Sequence, residues 1–523
     1  MKLSAESRGG RRATLLAGAV SFAMLAVLAI AARAQATETI YWDNFRDKPA
    51  TIGSADISGN GGGLLNLGGL QFHTTEGMAY DPVTNRLYVA VEALSGGKVL
   101  EEGAIAVINL DGSGASYFSA PGLVADAPEG IVIDPATRMM YWDNVRNDSI
   151  GWANLDGSAA GTLNVSGAAA EGYFRLALDP GSGRLFWPSK VGAKPVISWA
   201  GVNNTGGGIL PGAISMIPDG LATDPLTKRL YMISGTSTNG TMESMALDGG
   251  AIESVPLTTG FNSGYGLAID PVSKTAYWGN YGLIKTQTEA IGFAALSGSP
   301  GGAISIATTP VNSAQDPVIV RSPTGTGAPQ ITQSKAALTC SQGTWAPDYA
   351  GGFVYQAPTS YSYQWLLNGQ PVAGATAATF TATTAGSYSC SVTGKNPTGT
   401  ATQTSAAATV TTANLSVSLK SKKVRARAGK AAIVKFKIAN GGDFASTAIK
   451  LCAKKLTKKA KKGLRAPKCA SVKPIASGGS VVATLRVKTK NTANGAYRFT
   501  TQVKGAKVKA VTVNVKVLGA KKH

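Results

Sequence analysis

The sequence predicts an all-β protein that begins with a six-bladed β-propeller and continues into two β-sandwich domains. Three observations lead to this fold class. The chain is rich in glycine, with 64 among 523 residues, and no long stretch has the 3.6-residue period of an amphipathic helix. A strand-turn-strand pattern recurs about every 45 residues through the first 320. In the last third, apolar and polar residues alternate with a period of two, as in strands that bury one face.

The first 36 residues are predicted to be a secretory signal. A basic segment that contains Arg11 and Arg12 precedes the uncharged run 13–32, and Ala34-Gln-Ala36 fits a cleavage site. The run is long enough to span a bilayer, so an uncleaved anchor is the alternative. The arginine pair leaves Sec and twin-arginine export both open. We therefore expect a secreted or cell-surface protein, and its even number of cysteines, four, suits an oxidising compartment.

Residues 37–322 are predicted to form the propeller. Asp-Pro pairs recur with separations of 53, 45, 45, 46 and 46 residues, and they begin at Asp81, Asp134, Asp179, Asp224, Asp270 and Asp316. An aromatic residue follows seven residues after each of the first five aspartates, which sets the register of a second strand. Periods near 40–50 residues that contain several short strands are typical of propeller blades.

The two ends of the repeat region complement each other. Tyr41-Trp-Asp-Asn44 matches a second strand without a first, whereas residues 316–320 match a first strand without a second. Pairing these segments would close the ring and remove two exposed sheet edges. Six blades follow from this closure.

The repeat also resembles a known family. Tyr-Trp-Asp-Asn at 41–44 and 141–144, followed by Ile-x-x-Ala-Asn-Leu-Asp-Gly-Ser at 150–158, is similar to the YWTD (class B) repeat of low-density-lipoprotein-receptor propellers. The resemblance covers residues 40–320 and implies the fold, but not a receptor's ligand or role. Because the Asp-Pro and Tyr-Trp pairs recur from blade to blade, we interpret them as turn capping and blade packing.

The candidate binding residues of the propeller lie five residues before three Asp-Pro pairs, where inner strands begin at one mouth of the channel: Glu76, Glu129 and Asp219. Other blades have Phe174, Tyr265 and Val311 at this position. Three converging carboxylates could hold calcium, which prefers oxygen ligands. Their strand starts resemble those that bind metal in gluconolactonase-type propellers. The alternative interpretation is a solvated polar rim.

Residues 323–411 are predicted to form an immunoglobulin-like domain after a Pro/Gly-rich linker. Cys340, Trp365 and Cys390, with Tyr388 two residues before the second cysteine, resemble the Cys-Trp-Cys pattern and tyrosine corner of bacterial surface Ig-like domains. The resemblance implies a Cys340–Cys390 disulfide over Trp365. The long interval between Cys340 and Trp365 predicts an inserted loop around residues 349–361. A spacer is the default role and a binder the alternative.

Residues 412–523 are predicted to form a basic β-sandwich that resembles CARDB and fibronectin-III-like modules of bacterial surface proteins. The segment has 28 Lys+Arg and one acidic residue, Asp443. The simplest sequential pairing joins Cys452 to Cys469 around sixteen residues, of which eight are basic: Lys454, Lys455, Lys458, Lys459, Lys461, Lys462, Arg465 and Lys468. Such dense like charges repel unless an anion screens them. We therefore predict an anion contact here, with a solvated face as the alternative.

These features predict an exported, non-enzymatic, multidomain binding or adhesion protein, expected to be a monomer. The propeller would be the platform for a protein or glycan ligand, and the basic domain would contact an anionic wall polymer or a membrane surface. The basic loop has no aromatic residues for base stacking, which argues against specific nucleic-acid recognition. Only two histidines argue against histidine-dependent catalysis. The alternative is a metal-dependent hydrolase of the lactonase type that holds calcium at the three carboxylates.

Overall fold

The computed structural model describes residues 38–95, 98–99, 103–169, 171, 175–282, 289–306, 311–421 and 423–519. The predicted signal, residues 1–36, lies outside the described residues. Strands make up 54% of the structure and helix 2%, which confirms the all-β fold class. Within the described ranges, no helix combines the length and the apolar character needed to cross a membrane.

The described part of residues 38–321 forms six sheets. Its strands, in chain order, are β1 (Glu38–Asn44), β2 (Thr51–Asp56), β3 (Gly63–Leu64), β4 (Phe72–Asp81), β5 (Arg86–Ser95), β6 (Lys98–Val99), β7 (Ala104–Asn109), β8 (Ser116–Tyr117), β9 (Pro128–Asp134), β10 (Met139–Asn144), β11 (Ser149–Asn154), β12 (Ala160–Thr162), β13 (Ala177–Asp179), β14 (Arg184–Val191), β15 (Lys194–Gly201), β16 (Gly207–Ile209), β17 (Gly220–Asp224), β18 (Arg229–Thr236), β19 (Asn239–Ala246), β20 (Glu253–Leu257), β21 (Gly264–Asp270), β22 (Thr275–Asn280), β23 (Glu289–Ala295), β24 (Gly301–Ser305) and β25 (Ala314–Arg321). Five sheets follow the chain as β4-β5-β7-β8, β9 to β12, β13 to β16, β17 to β20 and β21 to β24.

The sixth sheet joins the two ends of this region. Strand β1 pairs with β2 on one side and with β25 on the other, which places Ile40 opposite Ile319. The innermost strands β25, β4, β9, β13, β17 and β21 each neighbour the next, and β21 neighbours β25, so they surround a central channel. We number the blades 1 to 6 in this order. The predicted strand pairing therefore closes the ring.

The repeated motif residues are structural, as the repetition suggests. In blades 1, 3 and 6, a fully buried tryptophan donates from its indole nitrogen to the asparagine two residues later, at 3.0–3.2 Å (Trp42 to Asn44, Trp142 to Asn144, Trp278 to Asn280). Asp134 accepts from the Ala136 backbone N–H at 3.0 Å and from the Thr137 hydroxyl at 2.8 Å, which caps its turn.

The pair Asp316-Pro317 does not continue the series of Asp-Pro turns. Tyr41 pairs with Val318 just as Tyr141 pairs with Val132, so Asp316 corresponds to Gly130 and lies inside an inner strand. Val311, predicted to face the channel mouth, is buried before that strand begins. The 46-residue spacing wrongly predicted a sixth Asp-Pro turn, because blade 1 is assembled from both ends of the propeller region. Its inner strand follows an interblade connection of different length.

Residues 325–410 form further small sheets, with strands β26 (Gly325–Gly327), β27 (Ile331–Ser334), β28 (Ala337–Cys340), β29 (Thr344–Trp345), β30 (Val354–Tyr355), β31 (Ser360–Leu367), β32 (Gln370–Pro371), β33 (Thr379–Thr381), β34 (Gly386–Asn396), β35 (Gly399–Thr404) and β36 (Ala408–Val410). Cys340 on β28 and Cys390 on β34 form the predicted disulfide, and the buried Trp365 shares their core. The Tyr388 hydroxyl donates to the Thr384 carbonyl oxygen at 2.9 Å, as in a tyrosine corner.

The loop predicted around residues 349–361 packs onto the propeller. Strand β30 runs parallel to β25, with Val354 opposite Ile319. A 3-10 turn, Ala350–Gly352, approaches the ends of inner strands so closely that a Cβ atom on Gly351 would lie 2.0 Å from the Thr223 hydroxyl oxygen. We call residues 349–355 the closing turn. It makes the second region part of the propeller core rather than a freely hinged spacer.

Residues 412–519 form two sheets that enclose one core. The strands and the helix are β37 (Leu415–Leu419), β38 (Val424–Arg427), β39 (Ala431–Asn440), β40 (Ile449–Ala453), α1 (Lys458–Gly463), β41 (Ala470–Val472), β42 (Ser480–Lys488), β43 (Gly495–Lys504) and β44 (Thr512–Leu518). One sheet has the order β37-β39-β42 and the other β38-β44-β43-β40-β41. Phe436, Leu485 and Val515 are among the residues buried between them. Cys452 and Cys469 form the second predicted disulfide.

Candidate functional site

The channel is most crowded at one level of the six inner strands. In each blade, the aromatic residue of the second strand pairs with a residue on the inner strand. The level is defined by the inner-strand residue two positions before that partner. These residues are Gly77, Gly130, Arg175, Gly220, Gly266 and Asp316. A Cβ atom on Gly77 would lie 2.3 Å from the Glu129 carbonyl oxygen, and one on Gly220 would lie 2.7 Å from the Gly266 carbonyl carbon. Glycine at four positions therefore lets the strands converge and leaves the centre to two side chains.

Those two side chains form an ion pair across the channel axis. Arg175 precedes β13 in blade 4 and Asp316 lies on β25 in blade 1, three blades away. Arg175 Nε lies 3.3 Å from Asp316 Oδ1, and the arginine side chain is only 3% exposed. Arg175 also donates to the Glu76 carbonyl oxygen at 2.8 Å and to Gln315 Oε1 at 3.0 Å. One guanidinium thus ties blade 4 to blades 1 and 2.

Two of the three predicted carboxylates lie beside this ion pair. Glu129 Oε2 is 4.0 Å from Arg175 Nη1. Burial raises the pKa of Glu129, the charge of Asp143 raises it further, and the positive charge of Arg175 opposes both. Burial raises the pKa of Glu76 to about 7, again against the effect of Arg175. These carboxyls hold protons more tightly than solvated ones do.

Asp219 does not join the other two carboxylates. It precedes β17 in blade 5, three blades from Glu76, and its charged neighbour is Arg175. Burial raises its pKa to about 6. Throughout the described ranges, no three His, Cys, Asp or Glu side chains are grouped so that they could hold a metal ion. Calcium binding at these residues stays a prediction, and the Arg175 guanidinium is a positive charge that would oppose it.

Arg175 and two further acids were missed from the sequence. Asp43 and Asp143, interpreted as scaffold, are fully buried, and both have Arg175 and Asp316 as charged neighbours. Arg175 could have been found, because it stands at the offset where four blades have glycine. The channel therefore contains several acids around one arginine.

The far end of the channel is closed. Phe353 of the closing turn, which is 8% exposed, and Arg175 both line a cavity of about 10 Å³ that lies between them. That volume holds about one water molecule. At this end the closing turn leaves room for about one water molecule, so the wider opening of the channel is the mouth where the inner strands begin.

One side of this open mouth is aromatic. The ring centroids of Phe45 and Tyr281 are 5.5 Å apart, and those of Tyr281 and Tyr265 are 5.4 Å apart. Arg46 lies 4.9 Å from the centre of the Tyr281 ring, and Arg175 lies 3.9 Å from that of Tyr265. We call Phe45, Tyr265 and Tyr281 the aromatic rim. Phe45 and Tyr281 both stand four residues after a blade aromatic, a spacing that was visible in the sequence.

The second candidate surface is the loop closed by Cys452 and Cys469. All eight predicted anion-contact residues are exposed: Lys454, Lys455, Lys458, Lys459, Lys461, Lys462, Arg465 and Lys468. Leu456, Ala460 and Leu464 are buried in the domain core and hold the loop against it. The single acidic residue of the domain, Asp443, instead accepts hydrogen bonds from the backbone and the hydroxyl of Thr411, both at 2.7 Å. Asp443 therefore does not neutralise the positive charge of the loop.

Comparison with known proteins gives only distant likenesses. No protein-family model matches the chain, and no curated protein matches it. Among solved structures, a nidogen/laminin complex chain is 18% identical, with 54% of this chain and 98% of that chain covered at a TM-score of 0.39. A Lactobacillus plantarum protein is 13% identical, with coverages of 54% and 99% and a TM-score of 0.39. TolB from Acinetobacter baumannii is also 13% identical, with coverages of 54% and 66% and a TM-score of 0.40. The assignment of the propeller rests on the sheets of this chain.

Proposed function

We propose that this protein is an exported binding protein with two contact sites. The open mouth of the propeller takes a protein or glycan ligand, and the basic C-terminal domain attaches to anionic cell-surface material. The observation that carries the proposal is the separation of charge. Eight exposed basic residues lie in one disulfide-closed loop, while the domain's single acid, Asp443, is bound to Thr411.

The chemistry of the mouth supports a binding role. Ligand sites commonly combine aromatic surface with a few fixed polar groups. Here Tyr265 of the aromatic rim lies against Arg175, which in turn contacts the Glu129 carboxylate and donates to the Glu76 backbone carbonyl oxygen. Aromatic faces can pack against a sugar ring or an apolar side chain, and carboxyl groups can accept hydrogen bonds from ligand hydroxyl or amide groups. The closed far end favours capture of a ligand over its passage.

The same geometry favours binding over metal-dependent hydrolysis. The lactonase-type alternative requires Glu76, Glu129 and Asp219 to share one cation. Arg175 already lies beside Glu129, and Asp219 comes from a blade on the other side of the channel. A divalent ion at this position would meet a fixed positive charge.

The attachment site is tested by removing two charges from the loop of the full-length protein. Lys458 and Lys462 lie one turn apart on α1, are exposed, and do not contribute to the core. Each basic residue near an anionic surface contributes about 1 kcal/mol. The double variant Lys458→Gln/Lys462→Gln should therefore bind isolated anionic envelope material ~30-fold more weakly at low salt.

The matched control is Lys190→Gln/Lys194→Gln, which removes two exposed lysines from the β14–β15 hairpin of the propeller. This variant should bind like the wild type in the same sedimentation assay. Equal losses in both variants would reduce the effect to overall net charge. Wild-type protein that stays in the supernatant at low salt would rule out the attachment role.

A further inference from the structure

A second basic surface lies on the outer face of the five-stranded sheet in the C-terminal domain. Alternation along the strands buries residues such as Val515 and Phe499 and leaves the intervening ones exposed. The exposed basic residues are Arg425 and Arg427 on β38, Lys516 on β44, Arg498 and Lys504 on β43, and Lys450 on β40. We call these six residues the basic sheet face. None of them belongs to the disulfide-closed loop.

On this face, like charges stand directly beside each other on neighbouring strands. Lys450 pairs with Lys504 across β40 and β43, and Arg425 pairs with Lys516 across β38 and β44. Like charges directly opposite one another destabilise a sheet. A ligand that neutralises these two like-charge pairs would remove the repulsion on this face.

Among the paired residues of the other sheet, no basic residue stands opposite another basic one. Within the ladder of β37, β39 and β42, Lys437 lies between Ser418 and Val482, and Arg486 lies opposite Ile433. Lys420, one residue beyond β37, is beside Lys435 at the end of that sheet. Lys437 and Arg486 are therefore a matched control, because they are exposed basic residues with neutral partners.

The charges on the basic sheet face are spread along the strands. Lys516 is opposite Ala496 at one end of β43 and Lys450 is opposite Lys504 at the other, a separation of about 27 Å at the usual rise of a strand. Arg498 lies between these ends. Lys454 extends the row from β40, because its backbone N–H donates to the Thr500 carbonyl oxygen at 2.8 Å. Positive charge thus follows a line that an extended chain could lie along.

The surface beside this line is concave. Lys454, Gln502, Lys507 and Lys509, together with Ala506 and Val508, line a groove of about 540 Å³. Proteins that lie on a bilayer insert aromatic or large apolar side chains. Among the outward residues on the paired strands of this face, the exposed large apolar one is Leu518, at the far end of β44. A groove bordered by lysines fits a polymer chain better than a flat membrane.

We propose that the basic sheet face and its groove bind an extended phosphate-bearing polymer. Arginine and lysine are the side chains that take phosphate oxygens, arginine through paired N–H groups. The inference rests on the proposed function, since such a polymer is one form of anionic cell-surface material, and it adds a second contact surface that meets the disulfide-closed loop at Lys454. Binding neutralises both like-charge pairs and releases the polymer's counterions.

The test is a titration of full-length protein with inorganic polyphosphate at several salt concentrations. Lys450→Gln/Lys504→Gln should weaken binding at least tenfold and reduce the slope of log K against log salt by about two. Lys437→Gln/Arg486→Gln removes the same charge from the other sheet and should change affinity less than about twofold. The Tm of Lys450→Gln/Lys504→Gln should equal or exceed that of the wild type, because a repulsive pair has been removed. Lost binding with an unchanged or higher Tm separates ligand contact from damage to the fold.

The loop variant Lys458→Gln/Lys462→Gln separates this inference from the proposed function. If it loses polyphosphate binding while Lys450→Gln/Lys504→Gln does not, the loop is the contact and the inference is wrong, although the attachment role stands. Wild-type protein that binds phosphatidylglycerol vesicles but not polyphosphate would also overturn the inference in favour of a membrane. Failure to bind either probe would remove both the polymer contact and the attachment role of the basic domain.

Discussion

Replacing Arg175 with methionine should destabilise the propeller by about 3–4 kcal/mol at pH 7.5. The substitution keeps an unbranched side chain but removes the guanidinium that lies 3.3 Å from Asp316 and donates to Glu76 and Gln315. Removing one partner of a buried ion pair costs about 3–5 kcal/mol, because the other charge is left uncompensated. The expected value is near the lower end, since the carboxyls here already have raised pKa values and can take up protons.

A double variant shows whether the loss comes from the pairing itself. In Arg175→Met/Asp316→Leu, neither charge is left alone in the channel, and apolar replacements of buried ion pairs are often neutral. We expect the double variant to lie within about 1–2 kcal/mol of the wild type. The coupling energy between the two sites would then be at least about 2 kcal/mol, because the loss in Asp316→Leu alone adds to the difference between Arg175→Met and the double variant.

Urea unfolding followed by tryptophan fluorescence measures these values. Trp42, Trp142, Trp187 and Trp278 are fully buried in four different blades, so their emission reports on the ring. The loss in Arg175→Met should shrink at pH 5, where the unpaired carboxyls are protonated. A single variant within 1 kcal/mol of the wild type, or single losses that simply add in the double variant, would refute the role of Arg175 as the bond across the channel.

Three further predictions concern the same region. Phe353→Ala should destabilise the propeller by about 3–5 kcal/mol, the usual cost of truncating a buried phenylalanine, measured by the same fluorescence; an unchanged midpoint would mean that the closing turn is not part of the ring. The raised pKa of Glu76, about 7 against an ordinary 4.5, means that the folded state binds more protons between these values, so stability from this group falls as pH rises from about 4.5 to 7. Glu76→Gln should therefore lose less stability between pH 5 and pH 8 than the wild type, whereas parallel pH curves would contradict the assignment. Calorimetric titration with calcium should give no binding in the wild type, because the Arg175 guanidinium lies 4.0 Å from Glu129 and Asp219 comes from the other side of the channel; stoichiometric calcium that Glu129→Gln abolishes would revive the hydrolase alternative.

The sequence by itself was sufficient for features that depend on local repetition. The all-β class followed from strand alternation and turn residues, and the pairing of β1 with β25 followed from the incomplete repeats at the two ends. The immunoglobulin resemblance implied one disulfide, and sequential pairing of the cysteines gave the other. The same reliance on spacing caused one error. Asp316 matched the Asp-Pro interval, but strand register places it at the level of Gly130, where it faces Arg175.

Tertiary structure alone decided which side chains meet between blades and between domains. Arg175 and Asp316 are 141 positions apart, and only closure of the ring sets them on one axis. Phe353 lies in a different predicted domain, yet it closes the propeller channel. Lys450 and Lys504 repel each other because the sheet places their strands side by side. Sequence patterns report which face of its own element a residue occupies, whereas ion pairs, channel closure and charge repulsion depend on distances between elements, which only packing determines.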